Sequence, residues 1–402
     1  MTEQPNNPYG APGPDQPHRS PQGWGAAPQQ GWAPPAPNGW GQPFPDPSAA
    51  APGFGAPPPP GFGQGYVPPP KPGVVPLRPL GIGDLLDGSF QAIRRNAAAT
   101  LGLAVLIQLA CGVAIALMSA PLYSVVLSPE VLAGADPDAA DLAGSLLLFS
   151  GGILLAGILS AAFLVFVQGM TTIPVLRAVL NRKTTFGQAL SLAKPALGRL
   201  VALGLLWSAA GLIGTALLVG IVVLAVAVGD AAVGVPLVIV VVLGLLATAI
   251  WVSVKLSMTA HALVVEDLGA FASMSRSWRL TRSSWWRCLG ILLLTGVIVA
   301  VVTSLITTPL SFATGLTGGM VSPEDPGALQ SYVGNLTAVM TIVSAVAAGL
   351  GFAYQCGVSS LLYTDLRIRR EGFDLTLLRE FESGADSGIP GRTAAGPEAG
   401  PL

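Results

Sequence analysis

Long apolar runs are the feature that most constrains the fold of this chain. A bilayer core of about 30 Å is crossed by a helix of about 20 apolar residues. The runs that reach this length are 97–119, 143–167, 201–228, 233–254, 288–311 and 335–362. Residues 201–254 must be two spans, because a single helix of that length would measure about 80 Å. The sequence therefore predicts an all-α, six-span transmembrane helical bundle.

The basic residues predict how the spans are oriented. The N-terminal region, the second-to-third connection, the fourth-to-fifth connection and the C-terminal region each hold five of the 20 Lys and Arg residues. The other three loops contain only acids, namely Glu130, Asp136, Asp138, Asp141, Asp230, Glu324 and Asp325. Lys and Arg near span ends stay on the cytoplasmic side. We therefore expect a multipass protein of the bacterial plasma (inner) membrane with both termini in the cytoplasm.

A proline-rich tail precedes the spans. Of the 36 prolines, 24 lie between Pro5 and Pro79, and residues 1–76 contain few aliphatic side chains. Such a segment cannot offset its ordering entropy, so we expect it to be disordered. Its regularly spaced aromatic residues could contact cytoplasmic proteins or other tails, or the tail could be a solvated spacer. These residues are Trp24, Trp32, Trp40, Phe54 and Phe62. The predicted domains are the tail 1–76, a membrane domain 77–380 and a disordered C-terminal tail 381–402.

A threefold internal pattern divides the membrane domain into helical hairpins. Each odd-numbered span follows a stretch that reads as an amphipathic helix at the cytoplasmic interface. When the Leu-Gly pairs that open these spans are superposed, a serine falls twelve residues before each pair, at Ser89, Ser191 and Ser277. We expect three hairpins, each joined to one interfacial helix.

The third interfacial stretch is rich in Trp and Arg. Trp rings favour headgroup depth and Arg side chains reach toward anionic lipid phosphates. The predicted contacts to lipid headgroups, including anionic phospholipids, are Trp278, Trp285, Trp286, Arg276, Arg279, Arg282 and Arg287. The alternative is that these residues only hold the fifth span at its depth.

Chemistry-bearing motifs are few. The sequence has two His and three widely separated Cys and no CxxC or P-loop pattern, so no metal, cofactor or catalytic site is predicted. We expect His261 to contact headgroups and the prolines Pro174, Pro236 and Pro309 to terminate helices. Gln108 is the one polar residue well inside a span that could line a transport path. A net charge of −1 gives no reason to expect nucleic-acid binding.

Three blocks carry a resemblance to a known family. GDLLDGSFQAIRRN, SRSWRLTRSSWWRCLGILLL and YTDLRIRREGFDL resemble blocks in multipass proteins related to the membrane domain of bacterial glycerophosphodiester phosphodiesterases. In that family the membrane domain can be fused to a soluble catalytic barrel, and residues 78–380 resemble the membrane domain alone. The resemblance implies a fold and a membrane location, and without the barrel we expect no catalysis.

The leading hypothesis is a non-catalytic membrane scaffold or envelope factor whose tail recruits cytoplasmic partners. One alternative is a permease or lipid-handling protein. Another is an accessory membrane subunit of a phosphodiesterase. The sequence leaves the oligomeric state open.

Overall fold

A computed structural model describes residues 71–132, 134–227, 231–318 and 326–392, and no strand occurs among them. The α-helices are α1 (Ile82–Arg95), α2 (Ala97–Val126), α3 (Pro129–Leu132), α4 (Ala139–Val179), α5 (Phe186–Ala193), α6 (Leu197–Ala227), α7 (Ala231–Leu256), α8 (Thr259–Val265), α9 (Ala270–Thr281), α10 (Trp285–Gly318), α11 (Pro326–Glu371) and α12 (Phe373–Ser383). A 3₁₀ turn, Lys194–Ala196, links α5 to α6. Six helices, counted over the described residues, are long and apolar enough to cross a membrane. The all-α six-span prediction is confirmed.

The long helices extend beyond the predicted spans. α4 continues twelve residues past the expected end at residue 167, and α11 continues nine residues past residue 362. The expectation that prolines terminate these helices is wrong, since Pro174, Pro236 and Pro309 all lie inside helices. A proline inside a helix removes one backbone donor and crowds the carbonyl four residues earlier, and it can be kept where packing supports the helix.

The long helices pack in the order α7, α6, α4, α2, α11 and α10, with additional contact between α4 and α11. The hairpins α2–α4 and α10–α11 are closely packed, whereas α6 packs more extensively on α4 than on α7. α2, α4 and α11 therefore form the centre of the bundle, and α7 lies at its edge.

Glycines allow the closest helix contacts. A Cβ atom added to Gly349 on α11 would lie 2.7 Å from Val105 Cα on α2, and one added to Gly204 on α6 would lie 2.6 Å from Ala162 Cα on α4. Gly211, also on α6, has open space at this position. Small residues let helix backbones approach in lipid, and here the position on the helix decides which ones do so.

Five of the six short α-helices, all except α3, gather at one end of the bundle, together with the described basic residues. We call this the basic end. It contains α1, α5, α8, α9 and α12. α1, α5 and α9 precede α2, α6 and α10, which is the predicted helical repeat. The serines of that repeat are less uniform, because Ser89 and Ser277 are buried while Ser191 is exposed.

The main hydrophobic core also lies at the basic end. It includes residues beyond both predicted limits of the membrane domain, 77 and 380. Val74 and Val75 belong to this core, although the tail was predicted to reach residue 76. Ile389 also belongs to it, although a disordered tail was predicted from residue 381. Both segments contribute apolar side chains to a core that the spans do not complete alone. Residues 1–70, with the five aromatic residues of the tail, lie outside the described chain.

Candidate functional site

Asp365 forms the centre of a buried charged cluster at the basic end. Its side chain on α11 is fully buried. Oδ1 accepts hydrogen bonds from the Leu80 backbone N–H at 2.7 Å and from Arg369 Nε at 2.8 Å, and Oδ2 accepts one from Arg287 Nη2 at 2.9 Å. Both arginines also donate to the Leu80 carbonyl. One carboxylate therefore joins α11, the start of α10 and the chain that leads into α1.

A second ion-pair cluster joins α9 to α11. Arg276 Nε donates to Glu266 Oε2 at 2.6 Å, and its Nη2 donates to Glu371 at 2.7 Å. Tyr363 donates its hydroxyl proton to Glu266 Oε1 at 2.6 Å. Arg367 donates to Glu371 and lies 3.9 Å from the ring centre of Phe373, the first residue of α12. The two glutamates and two arginines balance each other's charge.

His261 is buried between α4, α8 and α11, so the expectation that it contacts headgroups is wrong. Its Nδ1 lies 2.7 Å from Thr172 Oγ1 and its Nε2 lies 3.0 Å from Ser359 Oγ. A neutral imidazole donates through one nitrogen and accepts through the other, so one of these hydroxyls donates to the ring. The side chain has no exposed surface, and its hydrogen bonds join three helices.

The segment after α12 is tied to α4 by Arg177. This buried guanidinium donates to both carboxylate oxygens of Asp386, at 2.8 and 3.0 Å, and to the Gly388 carbonyl at 2.7 Å. The hydrogen bond from Arg177 lowers the pKa of Asp386 below its ordinary value. In the same way, the hydrogen bond from Arg199 lowers the pKa of Asp267, in the loop before α9. Both carboxylates are therefore ionised at neutral pH.

The predicted lipid-headgroup residues fall into two environments. Arg276 and Arg287 are held in the ion pairs described above, and Trp285 packs against the core. The other four predicted residues have exposed side chains, and they are Arg279, Arg282, Trp278 and Trp286. Trp278 packs edge-on against Trp251 and lies under the buried Lys255, whose Nζ is 5.5 Å from the ring centre. The exposed group therefore has more surface left for lipid contact than the three residues held in the ion pairs and the core.

Gln108, the predicted path-lining residue, is half-buried on α2. One turn before it, Ala104 is buried in a cluster with Val167 and Ala353. One turn after it, a Cβ atom on Gly112 would lie 3.0 Å from Thr341 Cγ2. Gln108 thus lies along a closely packed seam between α2 and α11.

Two cavities meet at the C-terminal end of α1. The first, which we call the α1 groove, has a volume of about 460 Å³ and is lined by apolar side chains of α10 and α11 together with Phe90 and Arg94. The second, which we call the cationic cavity, has a volume of about 710 Å³ and is lined by Arg94, Arg95 and Lys183 as well as Phe90. An apolar space and a basic space therefore share two lining residues.

The hydrogen bonds and ion pairs of the basic end join its helices to one another. No group of three or more His, Cys, Asp and Glu residues suited to a metal ion occurs within the described ranges. Asp365 and Arg369 lie four residues apart on α11, a helical spacing that can be seen in the sequence. No sequence signal connects either residue to Leu80, which is 285 positions away from Asp365.

Comparison with known proteins gives one match. A family described as a domain of unknown function, DUF7847, matches residues 122–366, from the end of α2 to the Asp365 cluster on α11. No curated protein and no solved structure matches the chain. The matched segment covers more than half of the sequence, and the chain belongs to the DUF7847 family.

Proposed function

We propose that this chain is a non-catalytic scaffold or envelope factor of the bacterial plasma membrane, and that its N-terminal tail recruits cytoplasmic partners. The observation that most supports this role is the attachment of Leu80. Its N–H is bound by Asp365, and its carbonyl accepts from Arg287 and Arg369. The chain that follows the tail is thereby fastened to two spans, as a scaffold that presents a tail requires.

The other ionisable groups of the basic end support the same role. Glu266 and Glu371 neutralise Arg276, and both ring nitrogens of His261 are engaged by hydroxyl groups. A general base must reach the proton it removes, and the His261 ring has no exposed surface from which to do so. These side chains hold helices together.

The proposed orientation is tested by cysteine labelling. Cys111 is replaced by Ala, while the buried Cys288 and Cys356 are kept. Single cysteines are then introduced as Asp136→Cys or Arg379→Cys. A membrane-impermeant maleimide applied to intact cells should label position 136, and position 379 should react only after lysis. The reverse pattern would contradict cytoplasmic termini.

The recruiting role is tested by removing the tail without touching the core. Deletion of residues 2–65 retains Val74 and Val75, so membrane insertion and thermal stability should be unchanged. Crosslinking followed by purification should then lose the partners that full-length protein captures. A full-length variant with Trp24→Ala, Trp32→Ala and Trp40→Ala separates aromatic contacts from tail length. The same partners recovered from all three proteins would contradict recruitment.

A lipid-handling function is the second candidate, and the α1 groove favours it. The permease version is less well supported, because the neighbours of Gln108 on α2 pack closely against α4 and α11. An accessory role beside a phosphodiesterase rests on the resemblance of the three sequence blocks. It predicts that a separately encoded phosphodiesterase copurifies with the tail-deleted protein.

A further inference from the structure

The α1 groove has the shape and lining expected for a hydrocarbon chain. Ile298, Val302 and Ile306 follow each other at intervals of four residues and form one apolar stripe along α10. This stripe rises about 12 Å along the helix axis. On the other side of the groove, Gly351 of α11 approaches α10 so closely that a Cβ atom there would lie 2.4 Å from Val299 Cγ1. The close contact gives the groove a floor of packed helices.

The mouth of the groove is positively charged. Arg94 lines both the α1 groove and the cationic cavity, and Lys183 lines the latter. Both side chains are exposed, and neither forms an ion pair with any carboxylate that the structure describes. Arg95 directs its Nη atoms to Asn181, and its buried Nε has no hydrogen-bond partner. The acid in this cavity, Asp87, accepts a hydrogen bond from Gln91 at 2.6 Å.

This region differs from the rest of the basic end. Arg177, Arg276 and Arg287 are each paired with a carboxylate of the same chain. By contrast, Arg94 and Lys183 lie near an apolar groove and are not paired with a carboxylate of the described chain. Unpaired cations next to apolar surface favour a ligand with an anionic head and a hydrocarbon chain, because each part then meets its complement.

We propose that the α1 groove and the cationic cavity together bind one anionic phospholipid of the surrounding bilayer. One acyl chain lies along α10 between α1 and α11, and the phosphate is bound by Arg94 and Lys183. Arg94 is three residues before the first residue of α2, which places the charge where a lipid headgroup lies and the groove where its chain lies. This site is separate from α9 and does not depend on the tail, so it goes beyond the scaffold role.

The headgroup half is tested by lipid binding to the full-length protein in detergent. Native mass spectrometry compares phosphatidylglycerol with phosphatidylcholine carrying the same acyl chains. Each juxtamembrane cation contributes about fivefold to attraction for an anionic lipid. Arg94→Gln with Lys183→Gln should therefore lower the preference for phosphatidylglycerol by about 25-fold. Arg379→Gln, an exposed cation on α12 without an ion pair in the described chain, is the matched control and should leave the preference unchanged.

Binding of the acyl chain is tested by filling the α1 groove. Val302→Trp places a large ring inside the α1 groove, whereas Val301→Trp places it on the neighbouring face of α10. The two valines have equal exposure, 52% and 51%, so both variants should fold alike. Val302→Trp should reduce binding of both lipids about tenfold, as expected from the loss of about two buried methylenes, and Val301→Trp should not.

Three outcomes would overturn the proposal. The first is equal binding of the two lipids by unaltered protein. The second is an equal effect of Arg94→Gln with Lys183→Gln and of Arg379→Gln. The third is full displacement of phosphatidylglycerol by glycerol phosphate, which has no acyl chain and would identify the site as one for a free phosphate. Since these measurements use no protein partner, their failure leaves the recruiting role of the tail untouched.

Discussion

The two ends of the bundle are built on different principles, and α4 shows both. From Gly169 to Val179 every residue of this helix is buried against other helices and the segment after α12. Toward its start, Leu147, Leu148 and Leu155 are exposed. In a bilayer these outward leucines meet lipid tails that are as apolar as they are, so they contribute little to helix association. The basic end must therefore supply much of the specificity of the fold.

The same contrast holds for polar groups. Near the opposite end, the hydroxyls of Ser145 and Ser150 bond to carbonyl groups of their own helix three residues earlier. At the basic end, the side chains of Asn96, Asp365 and Arg177 bond to groups more than 70 residues away in sequence. A polar side chain that bonds within its own helix does not determine which helices pack together, whereas a side chain that bonds to another element does. Removing one of these long-range hydrogen-bonding groups should therefore lower the free energy of unfolding more than a substitution elsewhere in the bundle.

The largest effect is expected from Asp365→Leu. The change leaves the Leu80 N–H without its acceptor and leaves Arg287 and Arg369 without their carboxylate. Removing one partner of a buried ion pair costs about 3–5 kcal/mol. Because both arginines are partly exposed, we expect about 3 kcal/mol, the lower end of this range. Thermal unfolding in detergent, followed by tryptophan fluorescence, measures the loss.

Asp141→Asn provides the control at the other end. Asp141 is an exposed acid in the first turn of α4, and a surface substitution of this kind changes stability by less than about 0.5 kcal/mol. Asp365→Asn should fall between the two variants, since an amide oxygen can still accept from Leu80. Similar melting temperatures for Asp365→Leu and Asp141→Asn would mean that the buried cluster does not hold the basic end together.

A smaller effect is expected from glycines along the helices. Gly349→Ala forces α2 and α11 apart, and overpacking of this kind costs about 1–3 kcal/mol. Gly211→Ala meets open space, and replacing a helical glycine by alanine there should gain about 0.5–1 kcal/mol. Melting temperatures that move in opposite directions would support this contrast. Melting temperatures that shift in the same direction in both variants would show that helix propensity, and not the close packing of α2 against α11, determines the change in stability.

The number and approximate positions of the spans were predictable, because they depend on local composition, whereas the ends of the helices were not. Each run of about 20 apolar residues needs only the thickness of the bilayer to be interpreted. The positions of α1, α5 and α9 were also predictable, since their patterns repeat before each odd-numbered span. Both features follow from residues that are close together in the sequence.

The polar network was not predictable, because its members are far apart in sequence. Nothing near His261 indicates that Thr172 and Ser359 will meet its ring, and its position near the cytoplasmic end of the fourth predicted span suggested a headgroup contact instead. The same reason explains the misplaced C-terminal limit. Arg177 lies near the end of α4, and its partner Asp386 lies in the segment 381–402 that was predicted to be disordered. Pairing across 209 positions follows from the fold and not from either segment alone.

The smallest effect concerns pH and the segment after α12. Arg177 lowers the pKa of Asp386 below its ordinary value of 3.8, so the folded form holds the carboxylate charged more readily than the unfolded form does. The resulting stabilisation is complete above pH 3.8 and is lost as the pH falls through the lowered value. We expect a fluorophore attached through Ser387→Cys to become mobile below this pH, with Asp386→Asn mobile at neutral pH. Asp136→Asn, at the other end of the bundle, should leave the profile of the probe unchanged. A probe held equally in the Asp386→Asn variant would show that Gly388 and Ile389 suffice to dock this segment on α4.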